Sequence, residues 1–210
     1  MRLLRPALED EVVAAFLRAE ADTTGRDRAS ILERLKSDGE PLDTVGRPDV
    51  SDPRQNAYRR RLLGETRGFG RGEGMFIGFP TRVDWHRVAL VRDELLEVRY
   101  IDDRGCDDYW ITLSGGSRRP RDAASRIRAR VGPDWAIRVW DLGGCEAVVR
   151  RLCQGSLPEL IVATDRQMER VVAVEGNGRL TSFALFPERL PEVVEVFCAI
   201  ADSLDGWGLY

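Results

Sequence analysis

The 210-residue chain has one histidine, His86, one lysine, Lys36, and four cysteines, Cys106, Cys145, Cys153 and Cys198, none of them in C-x-x-C spacing. A structural zinc site of Cys and His ligands has almost nothing to draw on. Excess charge is missing too: 32 basic and 35 acidic residues leave a formal net charge of −3, so no global positive field exists to neutralise a nucleic-acid backbone. General DNA binding is disfavoured. No apolar run approaches the ~18 residues of a membrane span, and Glu9, Asp10 and Glu11 stand where a signal peptide needs its apolar stretch. The expected setting is cytoplasmic, with reduced thiols and no membrane partner.

Hydrophobic residues make up 43% and charged residues 32% of the chain, enough to bury a core and too apolar for a disordered segment. The length suits one domain, or one domain with a small extension. Nearly all the positive charge is arginine, a bias that genome composition and anion binding both explain.

Apolar periodicity predicts an amphipathic helix over Leu8 to Ala21, a shorter one over Ala29 to Lys36, and a third over Pro53 to Leu63 carrying Arg54, Arg59, Arg60 and Arg61. Residues 1–65 therefore read as a helical extension. The glycine-rich stretch Gly64 to Gly78 breaks helices and reads as a mobile connection. Beyond it, strands are expected at Trp85 to Val91, Ala136 to Trp140, Leu160 to Ala163, Val171 to Val174 and Val193 to Ile200. Helical stretches are expected at Arg92 to Glu97, Pro120 to Val131, Cys145 to Cys153 and Leu180 to Phe186, with a short aromatic-led element at Asp108 to Leu113. With no internal repeat, the fold class is α+β: a helical arm, then a mixed-sheet domain over residues 66–210.

The most informative window is VVAVEGNGRLTSFAL, residues 171–185. A strand, a tight turn and a helix start meet at Glu175-Gly176-Asn177-Gly178-Arg179. Glycines let a ligand approach the backbone, first-turn N–H groups favour an anion, and Arg179 adds a guanidinium. Glu175, at the strand end, has the position to accept a proton from an attacking hydroxyl or to help hold Mg²⁺. The competing reading is a plain tight turn with a Glu175–Arg179 surface ion pair.

Leu157-Pro158-Glu159-Leu160-Ile161-Val162, then Val171 to Val174, then Glu175 to Leu180 resembles, in order and spacing, the phosphate-binding region of the ParB/sulfiredoxin-like superfamily, where an E-G-H-x-R-L box follows a similar strand pair. The resemblance spans roughly residues 95–210 and also takes in Tyr100-Ile101-Asp102, Tyr109-Trp110, Leu113 to Arg118 and Trp207-Gly208-Leu209-Tyr210. It implies a mixed-sheet core that binds a nucleotide, with Gly176, Gly178, Arg179, Leu180 and Thr181 around the phosphates and Glu175 and Asn177 at catalytic positions. Departures narrow the chemistry. Asn177 stands where sulfiredoxins carry cysteine, which removes sulfinic acid reduction unless another cysteine substitutes. No helix-turn-helix of the chromosome-partitioning kind follows the box. Compared with the D-G-H-x-R box of the free serine kinases of this fold, Asn177 replaces the histidine, and an amide donates a hydrogen bond but carries no titrating proton.

A second helix entry, Ser114 to Arg121, offers Ser117 and Arg118 as further phosphate or substrate contacts, or else a polar capping loop. Asp102, Asp103, Asp107 and Asp108 form an acidic loop that reads first as solvated and second as a metal or base cluster, and no dedicated protein metal site is expected. Trp110, Trp135, Trp140 and Trp207 are core residues first and base-stacking surfaces second, and His86 is a strand residue first. The arginines of residues 54–61 read as a solvated face first and as a nucleic-acid or partner surface second. The expected function is a nucleotide-dependent phosphotransferase acting on a hydroxylated metabolite, using ATP, ADP or CTP with Mg²⁺. The alternative is a non-catalytic nucleotide-sensing or partner-binding module, with nucleic acid the less favoured partner.

Overall fold

A computed structural model describes residues 1–22 and 26–210. In chain order the elements are β1 (Arg2–Pro6), α1 (Glu9–Asp22), α2 (Arg26–Asp38), α3 (Asp43–Gly46), α4 (Pro53–Arg67), β2 (Asp84–Val91), α5 (Arg92–Glu97), α6 (Tyr109–Leu113), α7 (Pro120–Ala129), α8 (Asp134–Ile137) and α9 (Leu142–Cys153). Then follow β3 (Ile161–Asp165), β4 (Val171–Glu175), α10 (Asn177–Leu185) and β5 (Val193–Ala201). The strands form one mixed sheet in the order β1-β2-β5-β3-β4, with β3 and β5 parallel and the other pairs antiparallel. The α+β class expected from the sequence is the one observed.

Strand alternation divides the core in two. Val88, Leu90, Val162, Ala173, Val196 and Cys198 face a layer built from α5, α7, α9 and α10. Trp85, Ile161, Ala163, Val172, Val174 and Phe197 face the opposite layer, where Phe16 and Leu17 of α1, Ile31 of α2 and Leu62 of α4 pack. Both sheet faces are thus covered, which is why the central strands read as near-continuous apolar runs.

This arrangement corrects the division at residue 65. Residues 1–65 are no extension: they supply an edge strand and one of the two layers over the sheet, and Leu62 and Leu63 share a cluster with Ile161 and Phe197. The stretch read as a mobile connection packs Phe76 into the same cluster, with Phe69 and Phe79 against it. Strand β1 gave no apolar signal because four of its five residues are exposed and it pairs only at the sheet edge. Ala136 to Trp140, expected as a strand, instead holds the end of the short helix α8: Pro133 opens the turn, and its carbonyl accepts from Ala136 and Ile137. Ala136 and Ile137 are buried by this single turn, a burial that a short apolar run produces as readily as a strand does.

Because α1 closes one face of the sheet, Phe16→Ala, at a fully buried ring, is expected to cost about 3–5 kcal/mol. A urea titration followed by circular dichroism should show a lower midpoint with the slope unchanged.

Candidate functional site

Strand β4 ends at Glu175, and α10 starts two residues later. The turn between them is the single residue Gly176, with φ +106°. A Cβ there would lie 2.2 Å from a methyl of Leu160 and 3.0 Å from the Arg179 guanidinium, so both the backbone sign and the space demand glycine. Asn177, Gly178 and Arg179, expected to lie before the helix, form its first turn.

Arg179 is half-buried. It donates to Glu175 Oε1 at 3.0 Å, to the Glu159 carbonyl at 3.2 Å and to the Pro158 carbonyl. The ion pair considered from the sequence therefore forms, but it lies inside a recess, the two side chains only 12% and 17% exposed. Asn177 is buried, and its Oδ1 accepts from the Ile101 backbone at 3.2 Å. Thr181 is fully buried, bonded to the Tyr100 hydroxyl at 2.6 Å and donating to the Asn177 carbonyl at 3.2 Å. Leu180 is fully buried too, in the core. Leu180 and Thr181 thus hold the helix in place inside the fold.

Around this turn lies a cleft of about 680 Å³. Glu175, Gly176, Asn177, Gly178 and Arg179 form one wall; Trp110 and Trp140, their rings 6.5 Å apart, form another. Glu20 and Asp22 of α1, Arg67 of α4 and Arg151 of α9 complete it, with Arg151 holding Asp22 at 2.8 and 3.0 Å and Arg67 paired to Glu20. No side chain caps α10, so its first-turn N–H groups have no side-chain acceptor at its positive dipole end. Glu20, Asp22, Arg67 and Arg151 escaped the sequence reading. Their partners lie 47 and 129 residues away, and no local pattern signals such pairings.

Ser117 and Arg118 do not line the cleft. Arg118, at φ +60°, is buried; its guanidinium donates to the carbonyls of Tyr100 (2.7 and 2.9 Å), Tyr210 (2.8 Å) and Leu209 (3.2 Å) and meets Asp102 at 3.4 Å. It is a clamp between two chain segments, and it does not converge with Arg179 on a shared phosphate. The Ser117 hydroxyl donates to Ser114 and accepts from the Arg119 backbone, holding the turn ahead of α7.

The acidic loop is divided among structural tasks. Asp103 accepts from the Trp110 and Ile111 backbones at 2.6 and 3.2 Å, ordering the start of α6, and burial raises its pKa above the usual carboxylate range. The Arg104 guanidinium, at 2.8 Å, and behind it Arg118, hold Asp102 below that range against the opposing effect of burial. Only Asp107 reaches the cleft. Among the described residues no three Asp, Glu, His or Cys side chains converge as metal ligands. His86 sits in β2 opposite Cys198, away from the cleft. No cysteine lines the cleft, and burial pushes the Cys198 thiol up to about 12, out of reach of reaction.

The arginine face of α4 is neutralised within the fold. Arg54 pairs with Glu40, Arg60 with Asp10, and Arg61 with Asp38 at 2.9 Å. Arg59 is fully buried, donating to the carbonyls of Thr44 and Asp49 at 3.1 and 2.8 Å. Few free cations remain there for a phosphate backbone.

Comparison with protein-family models, with curated proteins and with solved structures finds no match for this chain.

The lowered pKa of Asp102 fixes the sign of a pH effect. Its ionised form stabilises the fold fully above about pH 4, and that contribution is lost as pH falls through the lower folded-state value. Asp102→Asn should therefore cost about 1–3 kcal/mol at neutral pH, and the gap to the parent should narrow on acidification. Urea midpoints measured across the acid range check this.

Proposed function

We propose that the cleft binds a nucleotide through its phosphates at the start of α10, and that the protein is a nucleotide-dependent phosphotransferase acting on a small hydroxylated metabolite. The observation that carries the reading is the uncapped α10 N-terminus opening on a cleft that also holds Glu175, Arg179 and two tryptophan rings. The resemblance of the Glu175-to-Leu180 box to the ParB/sulfiredoxin-like phosphate region supports it.

First-turn N–H groups at Gly178 and Arg179 would hold phosphate oxygens. The Asn177 amide nitrogen, left over by the Oδ1 bond to Ile101, is a further donor. Trp110 and Trp140 offer faces for a base. Glu175 binds Arg179 through Oε1, leaving Oε2 to accept the proton of the attacking hydroxyl as its oxygen bonds to phosphorus and the bridging P–O bond breaks. The ring of the cleft carries four acidic residues, Glu20, Asp22, Asp107 and Glu175, against three arginines, so a bare nucleotide would meet little net attraction. Mg²⁺ held mainly by the phosphates fits this better than an ion caged by protein, and it would supply charge neutralisation.

The buried, hydrogen-bonded Asn177 favours one second reading: with no titrating group at the histidine position, the same cleft serves as a nucleotide sensor without turnover.

Gly178→Asp is the sharpest test. A Cβ at Gly178 has no neighbour closer than 4.0 Å, and a carboxylate in the first turn suits the helix dipole while occupying the anion position. The variant should fold and lose nucleotide binding in a calorimetric titration with ATP, ADP and CTP plus Mg²⁺; retained binding would place the phosphates elsewhere. Glu175→Gln should keep binding and lose turnover on an acceptor that the parent phosphorylates. A parent that binds nucleotide yet phosphorylates no hydroxylated acceptor leaves the sensor reading standing alone.

A further inference from the structure

The Arg179 guanidinium turns back from α10 toward the strand ends. Its Nη1 donates to the carbonyls of Pro158 and Glu159, just ahead of β3, and its Nη2 donates to Glu175 Oε1 at 3.0 Å. The missing side chain at Gly176 makes room for this: a Cβ there would stand 3.0 Å from Nη2 and 3.2 Å from Nε. The other two arginines of the cleft are committed as well, Arg151 to Asp22 and Arg67 to Glu20. Each guanidinium at the recess therefore already holds a carboxylate.

Glu175 is the carboxylate that stands beside the start of α10. Unpaired, its charge would repel a phosphate resting there. Bonded through Oε1, it has that charge offset and its orientation fixed, and Oε2 is left over. We propose that Arg179 is a positioning residue: its guanidinium binds no phosphate, but offsets the charge of Glu175 and holds Oε2 toward the acceptor hydroxyl. This rests on the nucleotide reading of the cleft, and it leaves the phosphates to the backbone N–H groups of α10 and to Mg²⁺.

The test is a double-mutant cycle on the full-length protein, with the affinity for ATP plus Mg²⁺ read by calorimetry. Arg179→Gln keeps an amide donor for the Pro158 and Glu159 carbonyls and removes the charge. It should weaken ATP about tenfold, because Glu175 then stands uncompensated beside the phosphates. In the Glu175→Gln background the same substitution should change affinity by less than about twofold. A guanidinium that touched phosphate, or one that merely supported the fold, would give the loss in both backgrounds. Arg179→Lys keeps a cation beside Glu175 and should bind within about twofold of the parent in either background, which guards against a poorly folded glutamine variant. Equal losses in both backgrounds, or no loss in either, overturn the proposal alone where Gly178→Asp still abolishes binding. A parent that binds no ATP overturns the proposal and the nucleotide reading together.

Discussion

The structure depends on the central strand β5 being buried on both faces. It pairs antiparallel with β2 and parallel with β3, and from Val196 onward every residue is buried. A strand with apolar side chains on both faces needs two layers of cover, and a parallel neighbour needs a crossover. One layer comes from α5, α7, α9 and α10. The other comes from α1, α2 and α4 together with Phe76 and the C-terminal Leu204, Trp207 and Tyr210, so the arm is drawn in to complete the core.

That constraint explains where sequence reading succeeds and where it stops. The strands β2 to β5 and the helices α1, α4, α7 and α9 are legible because each carries its own period: apolar runs of strand length, or a stripe such as Ala123, Ala124 and Ile127. The docking of the arm is not legible. Glycines of the 64–78 stretch look like a linker, yet Gly68 and Gly74 serve tight turns at φ +85° and +55° that tuck Phe76 against Phe16 of α1 and Phe69 against Phe76. Composition alone does not distinguish a glycine that loosens a chain from one that lets it turn sharply.

The site divides in the same way. Glu175 to Arg179 is legible because one short segment holds a strand end, a left-handed glycine and a helix start. Arg118 is misleading for an equally local reason: an arginine after Ser-Gly-Gly-Ser looks free to meet an anion, whereas distant carbonyls of Tyr100, Leu209 and Tyr210 consume its donors. The α4 arginines follow the same rule, each taken by an acidic residue or a carbonyl. In a chain with nearly balanced charge, pairing within the fold is the default fate of a guanidinium. The informative positions are those with donors left over.

The first turn of α10 is such a position, and its setting ties the arm to the cleft. The cleft is walled on one side by the β4–α10 turn and on another by Glu20 and Asp22 of α1 and Arg67 of α4. The helical layer that buries the second face of the sheet thus also sets the depth and charge of the recess. Because Arg151 of α9 bonds Asp22 of α1 beside that recess, the two layers are joined at the cleft itself. Displacement of α1 would open the recess to water and separate Arg151 from Asp22 together. Packing of the arm and shape of the site are one structural variable.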